Sequence, residues 1–186
     1  MKGKVLSSIF QTSTLRTAGF NSISTEGMST AGQFLTIILM FIGGSPGSTA
    51  GGVKTTTIGV LIVTVISVIK GREDSEVFQR RFSKDLVYKA FTLLFVAFTL
   101  VIVVTMLLSY TEKGASFIAL FYETVSAMGT AGLTLGLTPE LSSVGRVLII
   151  MMMYLGRVGP LTVVLSITKK KVNSGIKYPE GKILIG

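Results

Sequence analysis

Two short strings, Thr17-Ala18-Gly19-Phe20 and Thr130-Ala131-Gly132-Leu133, carry the residue types that could handle a dehydrated cation. A permeating ion must exchange its water shell for oxygens at almost no net cost. Rings of backbone carbonyls achieve this when the chain is extended and its carbonyls turn toward one axis. Glycine permits the backbone conformations that such turning requires, and threonine adds a hydroxyl oxygen at the inner end. The carbonyl end of a preceding half-helix adds partial negative charge that favours a cation. One Thr-Ala-Gly triplet alone would be explained by an ordinary turn before a helix; two copies in the same setting favour the coordinating role. The chain has neither Cys nor His. That removes disulfides, thiolate and imidazole metal ligands and the usual general base, so no enzymatic site and no covalent cofactor are expected.

A second constellation is the run Gly43-Gly44-Ser45-Pro46-Gly47-Ser48-Thr49-Ala50-Gly51-Gly52, followed by Lys54. Its composition cannot continue a helix, since Gly costs ~1 kcal/mol and Pro ~3 kcal/mol in a helix interior. Apolar Phe34–Ile42 precedes it and apolar Val53–Ile69 follows, so this is a membrane span broken at depth, tolerable only against water or buried in protein. A flexible polar strand below a carbonyl string is a candidate gate; a static kink is the alternative. The stretch Gly47 to Thr55 approaches a phosphate-binding loop, but Val53 intervenes before Lys54 and no strand precedes it, which excludes nucleotide binding there. Arg157 lies deep in an apolar segment, where a charge faces a cavity or partner, or snorkels to the interface. Lys54 is open to two roles, a pore-facing charge or a donor to loop carbonyls. Glu123 is equally open, as an acceptor behind the string or an exposed acid near the outer surface.

These residues need membrane elements to position them. Leu86–Tyr110 and Val144–Thr168 are each long enough to cross a core of ~30 Å. Val5–Leu15 and Ala115–Met128 are too short to span; each precedes a Gly-containing string and then an apolar segment, the order of a re-entrant loop, although an amphipathic surface helix would read alike. The two triplets stand 113 positions apart (130 less 17). The same offset pairs Ser13 with Ser126, Ser29 with Ser142, Gly32 with Gly145, Met40 with Met153, Gly43 with Gly156, and Gly44 with Arg157. Matched glycines at one offset indicate an internal repeat of half-helix, string and span, the architecture of transporters and channels.

Composition agrees: 186 residues, 48% hydrophobic, only 15% charged, with a mean hydropathy of +0.67. The net charge of +9 is concentrated in residues 70–89 and in the tail from Lys169. By the positive-inside rule both are cytoplasmic. No aromatic-interleaved basic patch accompanies them, so nucleic-acid binding is not expected. No cleavable signal peptide is visible, because Ser7, Ser8, Gln11 and Thr12 interrupt the apolar run after Lys4.

Leu15-Arg16-Thr17-Ala18-Gly19-Phe20-Asn21, the loop from Gly43 to Thr55, Gly129 to Leu133, Gly156-Arg157-Val158-Gly159-Pro160-Leu161-Thr162 and the ending Tyr178-Pro179-Glu180-Gly181-Lys182-Ile183 resemble the Ktr/Trk/HKT superfamily of potassium transporters, the Ktr-type translocating subunit above all. The resemblance implies an all-α membrane protein of helix–pore-loop–helix repeats with re-entrant half-helices. It divides the chain into 1–70 (third-repeat pore helix, filter and broken helix), 71–85 (cytoplasmic basic loop), 86–168 (complete fourth repeat) and 169–186 (cytoplasmic tail). It further implies K+ at the filter carbonyls of Thr17, Ala18, Gly19, Phe20, Thr130, Ala131, Gly132 and Leu133, with Na+ as a coupling or transported ion. Gly43 to Gly52 with Lys54 becomes the intramembrane gating loop and Arg157 its contact. The implied setting is the plasma membrane, as a multi-pass homodimer resting on a cytoplasmic ring of nucleotide-binding regulatory subunits. The family surrounds one pore with four repeats, whereas this chain holds two pore loops. The expectation is therefore a fragment whose missing N-terminal repeats, or a second copy, complete the ring. A non-conducting membrane scaffold that binds a cytoplasmic partner is the alternative.

Overall fold

The computed structural model describes residues 2–159, apart from 22, 73 and 78. The expected span beyond Gly159 and the whole basic tail lie outside the described residues. Among the described residues six helices carry the fold: α1 (Lys2–Thr14), α2 (Thr30–Phe41), α3 (Thr55–Ile69), α4 (Lys84–Thr111), α5 (Phe117–Gly129) and α6 (Ser143–Val158), with a 3-10 turn at Thr138–Glu140.

Helix α5 is the centre. It packs against α6, α2 and α4, and every residue from Tyr122 to Gly129 is buried. Its apolar residues need enclosure, and it carries Val125, Ala127 and Met128 into the common core with Met40 of α2, Val101 of α4 and Met152 of α6. Serine caps start three helices: Ser29, Ser116 and Ser142 accept from the amides of Gly32, Ala119 and Gly145, satisfying donors that no helix turn can reach. At the other side of the core α3 lies along α4.

Among the described residues α4 alone is long and apolar enough to cross a membrane. Its 28 residues give about 42 Å at 1.5 Å per residue, more than the ~30 Å hydrocarbon core. The charged start at Lys84, Asp85 and Lys89 therefore extends past the apolar run. At its far end Glu112 closes the helix and accepts from the Ser142 hydroxyl (2.5 Å) and amide (3.1 Å). The Ser142 hydroxyl holds the Glu112 carboxyl below the usual carboxylate range, with a smaller contribution from the Ser142 amide and against a modest desolvation that raises it.

The break expected between Phe34 and Ile69 is present, with helix on both sides and none between Ile42 and Lys54. Its two ends lie together: Ile42 and Val53 form a parallel bridge, the Gly43 amide donates to the Val53 carbonyl (2.8 Å) and the Val53 amide to Phe41 (3.1 Å). The loop thus leaves and re-enters at one place and satisfies its own stems. The basic segment contains an antiparallel hairpin, β1 (Glu76–Val77) and β2 (Arg80–Arg81), turned by Gln79 at φ 61° and braced by an Arg81–Asp74 ion pair at 2.9 Å.

Candidate functional site

The short helices α1 and α5 end in the same unusual way. Thr17 and Thr130 have φ of 68° and 52°, and Gly19 and Gly132 have φ of 74° and 73°. Glycine adopts this left-handed region freely, whereas a β-branched residue there is strained. Ala18 and Ala131 are not in it, so each string alternates in hand at successive residues. A regular strand sends successive carbonyls to opposite sides; reversing φ at every second residue can bring them to one side. Sequence reasoning credited glycine with this freedom and missed that the threonines take it too. The signal was the identical spacing of Thr and Gly in both triplets.

The two strings approach each other. A Cβ on Gly19 would stand 2.9 Å from the Ala131 carbonyl oxygen, and one on Gly132 would stand 3.9 Å from the Gly19 Cα. Each of the two short helices ties down the string that follows it, Thr14 by donating to the Phe20 carbonyl (2.6 Å) and Ser126 by accepting from the Leu133 amide (3.0 Å). Their surroundings differ: Ala131 and Leu133 are buried, whereas Ala18 is exposed and Phe20 is 69% exposed. Beside the second string lies a cavity of ≈ 330 Å³ bordered by Glu123, Thr130, Thr134 and Met153. Glu123 itself is buried, so it stands behind the string and not on the outer surface.

The broken loop reaches this same place. The Gly51 amide donates to the Thr130 hydroxyl at 3.0 Å, and a Cβ on Gly51 would stand 2.7 Å from that side chain. Lys54 donates to the carbonyls of Ala50 (2.5 Å) and Ser48 (3.4 Å), and the Arg157 guanidinium donates to the Thr49 carbonyl. Three consecutive carbonyls are therefore held by two cations, one from each side of the loop. Of the two roles open to Lys54, the structure gives it that of donor to loop carbonyls. Ser45, Pro46, Gly47, Ser48 and Thr49 form the exposed tip, while Gly43, Ala50, Gly51 and Gly52 are buried and Gly44 is half-buried. Close approach at the base depends on glycine. A Cβ on Gly156 would meet the carbonyl carbon and Cα of Met128 at 2.7 and 2.8 Å, and one on Gly129 would meet the Met40 carbonyl oxygen at 2.5 Å. In this way α2, α5 and α6 converge directly under the second string. Among the described residues no group of three or more acidic side chains is placed to hold a metal ion.

A family model described as TrkH, a cation transport protein, matches residues 1–175. The chain belongs to this family. It is 45% identical over 190 residues to the potassium/sodium uptake protein NtpJ of Enterococcus hirae, covering 98% of this chain and 42% of that protein. It is 40% identical over 183 residues to the Ktr system potassium uptake protein B of Bacillus subtilis, covering 98% of this chain and 41% of that one. The crystal structure of the potassium transporter TrkH from Vibrio parahaemolyticus superposes with a TM-score of 0.74 at 22% identity, over 87% of this chain and 36% of that one, which establishes a shared fold. The chain spans about two-fifths of the length of these curated relatives.

Proposed function

We propose that this chain supplies two pore loops and the gate of a potassium-uptake pore. Potassium crosses by way of the carbonyls of Thr17, Ala18, Gly19, Phe20, Thr130, Ala131, Gly132 and Leu133, which replace its water shell. The observation that carries this reading is the paired left-handed geometry at Thr17 and Gly19 and again at Thr130 and Gly132, at the ends of two half-helices and with the strings in contact. The same pairing, together with the equivalent caps at Ser29 and Ser142, supports two repeats of one re-entrant unit. Relatives named for potassium and for potassium/sodium uptake support K+ as the ion, with Na+ as a coupling or transported ion.

Gly43 to Gly52, pinned by Lys54 and Arg157, is the gate below the strings. Two loops cannot encircle an ion, so further repeats or a second copy complete the ring. On this reading the chain is a multi-pass plasma-membrane protein, its 70–89 segment and tail cytoplasmic, working as a dimer on a nucleotide-binding regulatory ring. The test is radioactive rubidium uptake by the assembled transporter containing this chain, with Gly19→Ser and Gly132→Ser. Either substitution forces a side chain into a left-handed position and is expected to abolish or strongly reduce preference for rubidium over sodium. Uptake unchanged in rate and preference would remove the filter assignment and leave the scaffold reading.

A further inference from the structure

Glu123 has no part in ion coordination or gating as described, yet it is an acid only 5% exposed in the middle of the central helix. Among the described residues no cation pairs with it; the one ion pair is Arg81–Asp74. Its partners are two hydroxyls instead. Thr134 donates to Oε2 at 2.8 Å and Thr138 to Oε1 at 2.6 Å. Both threonines lie just beyond the second string, which ends at Leu133. Thr134 is a junction: its hydroxyl also accepts from the Gly136 amide (3.1 Å), and its carbonyl accepts from the Thr25 hydroxyl at 2.5 Å. Thr25 is buried and belongs to the segment that follows the first string. A continuous path therefore runs from the carboxylate through Thr134 to the other pore loop. Leu133 itself is buried and tied to Ser126, but the cavity against Glu123 and Thr134 leaves Thr134, the next residue, without close packing on that side.

A buried acid without a counter-ion is costly, and an apolar residue of similar size would serve packing better. What the carboxylate offers is acceptor capacity for two hydroxyls at once, fixing two points of the exit segment against a rigid helix. We propose that Glu123 is a positioning residue. It sets the outer end of the second string and, through Thr134 and Thr25, the separation between the two strings, so that discrimination between potassium and sodium depends on it. The proposal rests on the filter reading above and goes beyond it in locating what holds the filter's width.

The test uses the assembled transporter containing this chain, with Glu123→Leu, Glu123→Gln, Thr134→Val and Thr25→Val. The readouts are the KM and maximal rate of rubidium uptake and inhibition by sodium. Glu123→Leu and Thr134→Val release the string, and each is expected to raise KM or erode rubidium preference by about tenfold, falling mainly on these and less on maximal rate. Thr25→Val cuts only the link between strings and should shift preference in the same direction. Glu123→Gln restores most of the preference, because an amide can accept from one threonine and donate to the other. Loss of maximal rate with KM and preference unchanged in Glu123→Leu and Thr134→Val would overturn the proposal. If Glu123→Leu does not assemble, Thr134→Val and Thr25→Val decide alone. Gly132→Ser in parallel separates the two readings. If it changes preference while these variants do not, only the positioning role of Glu123 falls; if it too is silent, the filter reading falls with it.

Discussion

The cations that pin the broken loop make a quantitative prediction. Arg157 donates to the Thr49 carbonyl from α6, and Lys54 donates to Ala50 and Ser48 from the foot of α3. Hydrogen bonds to charged groups contribute about 1.5–3 kcal/mol each. Arg157 is exposed, so the low end applies, and if the loop is the gate proposed above, the two together give about 3 kcal/mol in favour of its closed state. Since 1.36 kcal/mol is a factor of ten, removing both shifts the open-to-closed ratio by roughly 150-fold. A loop open about 1% of the time would become open about 60% of the time. The perturbation is Arg157→Met with Lys54→Met, singly and together, since methionine keeps the apolar stem and drops the charge. Maximal rubidium uptake is measured at matched surface abundance. Each single variant should raise uptake by about tenfold, and the double variant should approach the ceiling near 60-fold. A double variant with wild-type uptake would refute the reasoning: the loop would then be a static kink, and the two cations structural donors.

Four further outcomes follow from the local surroundings of single residues. Gly156→Ala drives a Cβ into the backbone of Met128 and should lower thermal stability in detergent by about 1–3 kcal/mol. Gly59→Ala, where nothing lies within 4 Å, should be neutral or stabilising by up to ~1 kcal/mol. Thr130→Val keeps the side-chain shape but leaves the buried Gly51 amide without its acceptor, a cost of about 1–3 kcal/mol that should appear as faster amide exchange at Gly51 and raised flux. Glu112 carries a depressed pKa owing to Ser142, so its contribution is complete above the unfolded carboxylate value and is lost as pH falls through the lower folded one. Thermal stability should therefore decline below about pH 4, and Glu112→Gln should flatten that decline.

What could be read from the residues, and what could not, divides along physical lines. The break between Phe41 and Lys54 was legible because Gly and Pro penalise helix locally, whatever surrounds them. The short helices α1 and α5 were legible because a glycine-containing string ends the helical stretch before it. The expected start Val5 against the observed Lys2, and Ala115 against Phe117, are fraying-scale differences at helix ends. Long-range polar contacts were not legible in the same way. Burial of Glu123 depends on α2, α4 and α6 closing around α5, and no local pattern encodes whether an acid in an amphipathic stretch faces in or out. The hairpin at 76–81 was also hidden, since two-residue strands carry no periodicity and its turn uses Gln79 in place of glycine.

On the repeat reading, the departures between the two copies are as informative as the matches. Helices α2 and α6 start at equivalent positions, Thr30 and Ser143, each behind a serine that caps the glycine three residues on. The first copy then stops at Phe41, whereas the second runs on through Gly156 to Val158. Gly43 and Gly156 are equivalent, but one opens a loop and the other lets a helix pass against the Met128 backbone. The next position is Gly44 in one copy and Arg157 in the other. Continuing the helix by one turn is what carries a guanidinium to the depth at which the first copy unwinds, and there it meets the Thr49 carbonyl. A symmetric pair of loops would each need an outside partner for its unpaired carbonyls. Breaking one copy and extending the other lets the second supply the donor that the first requires. The loop's hold is then a property of the pair of repeats, and Arg157→Met should loosen it without altering either string.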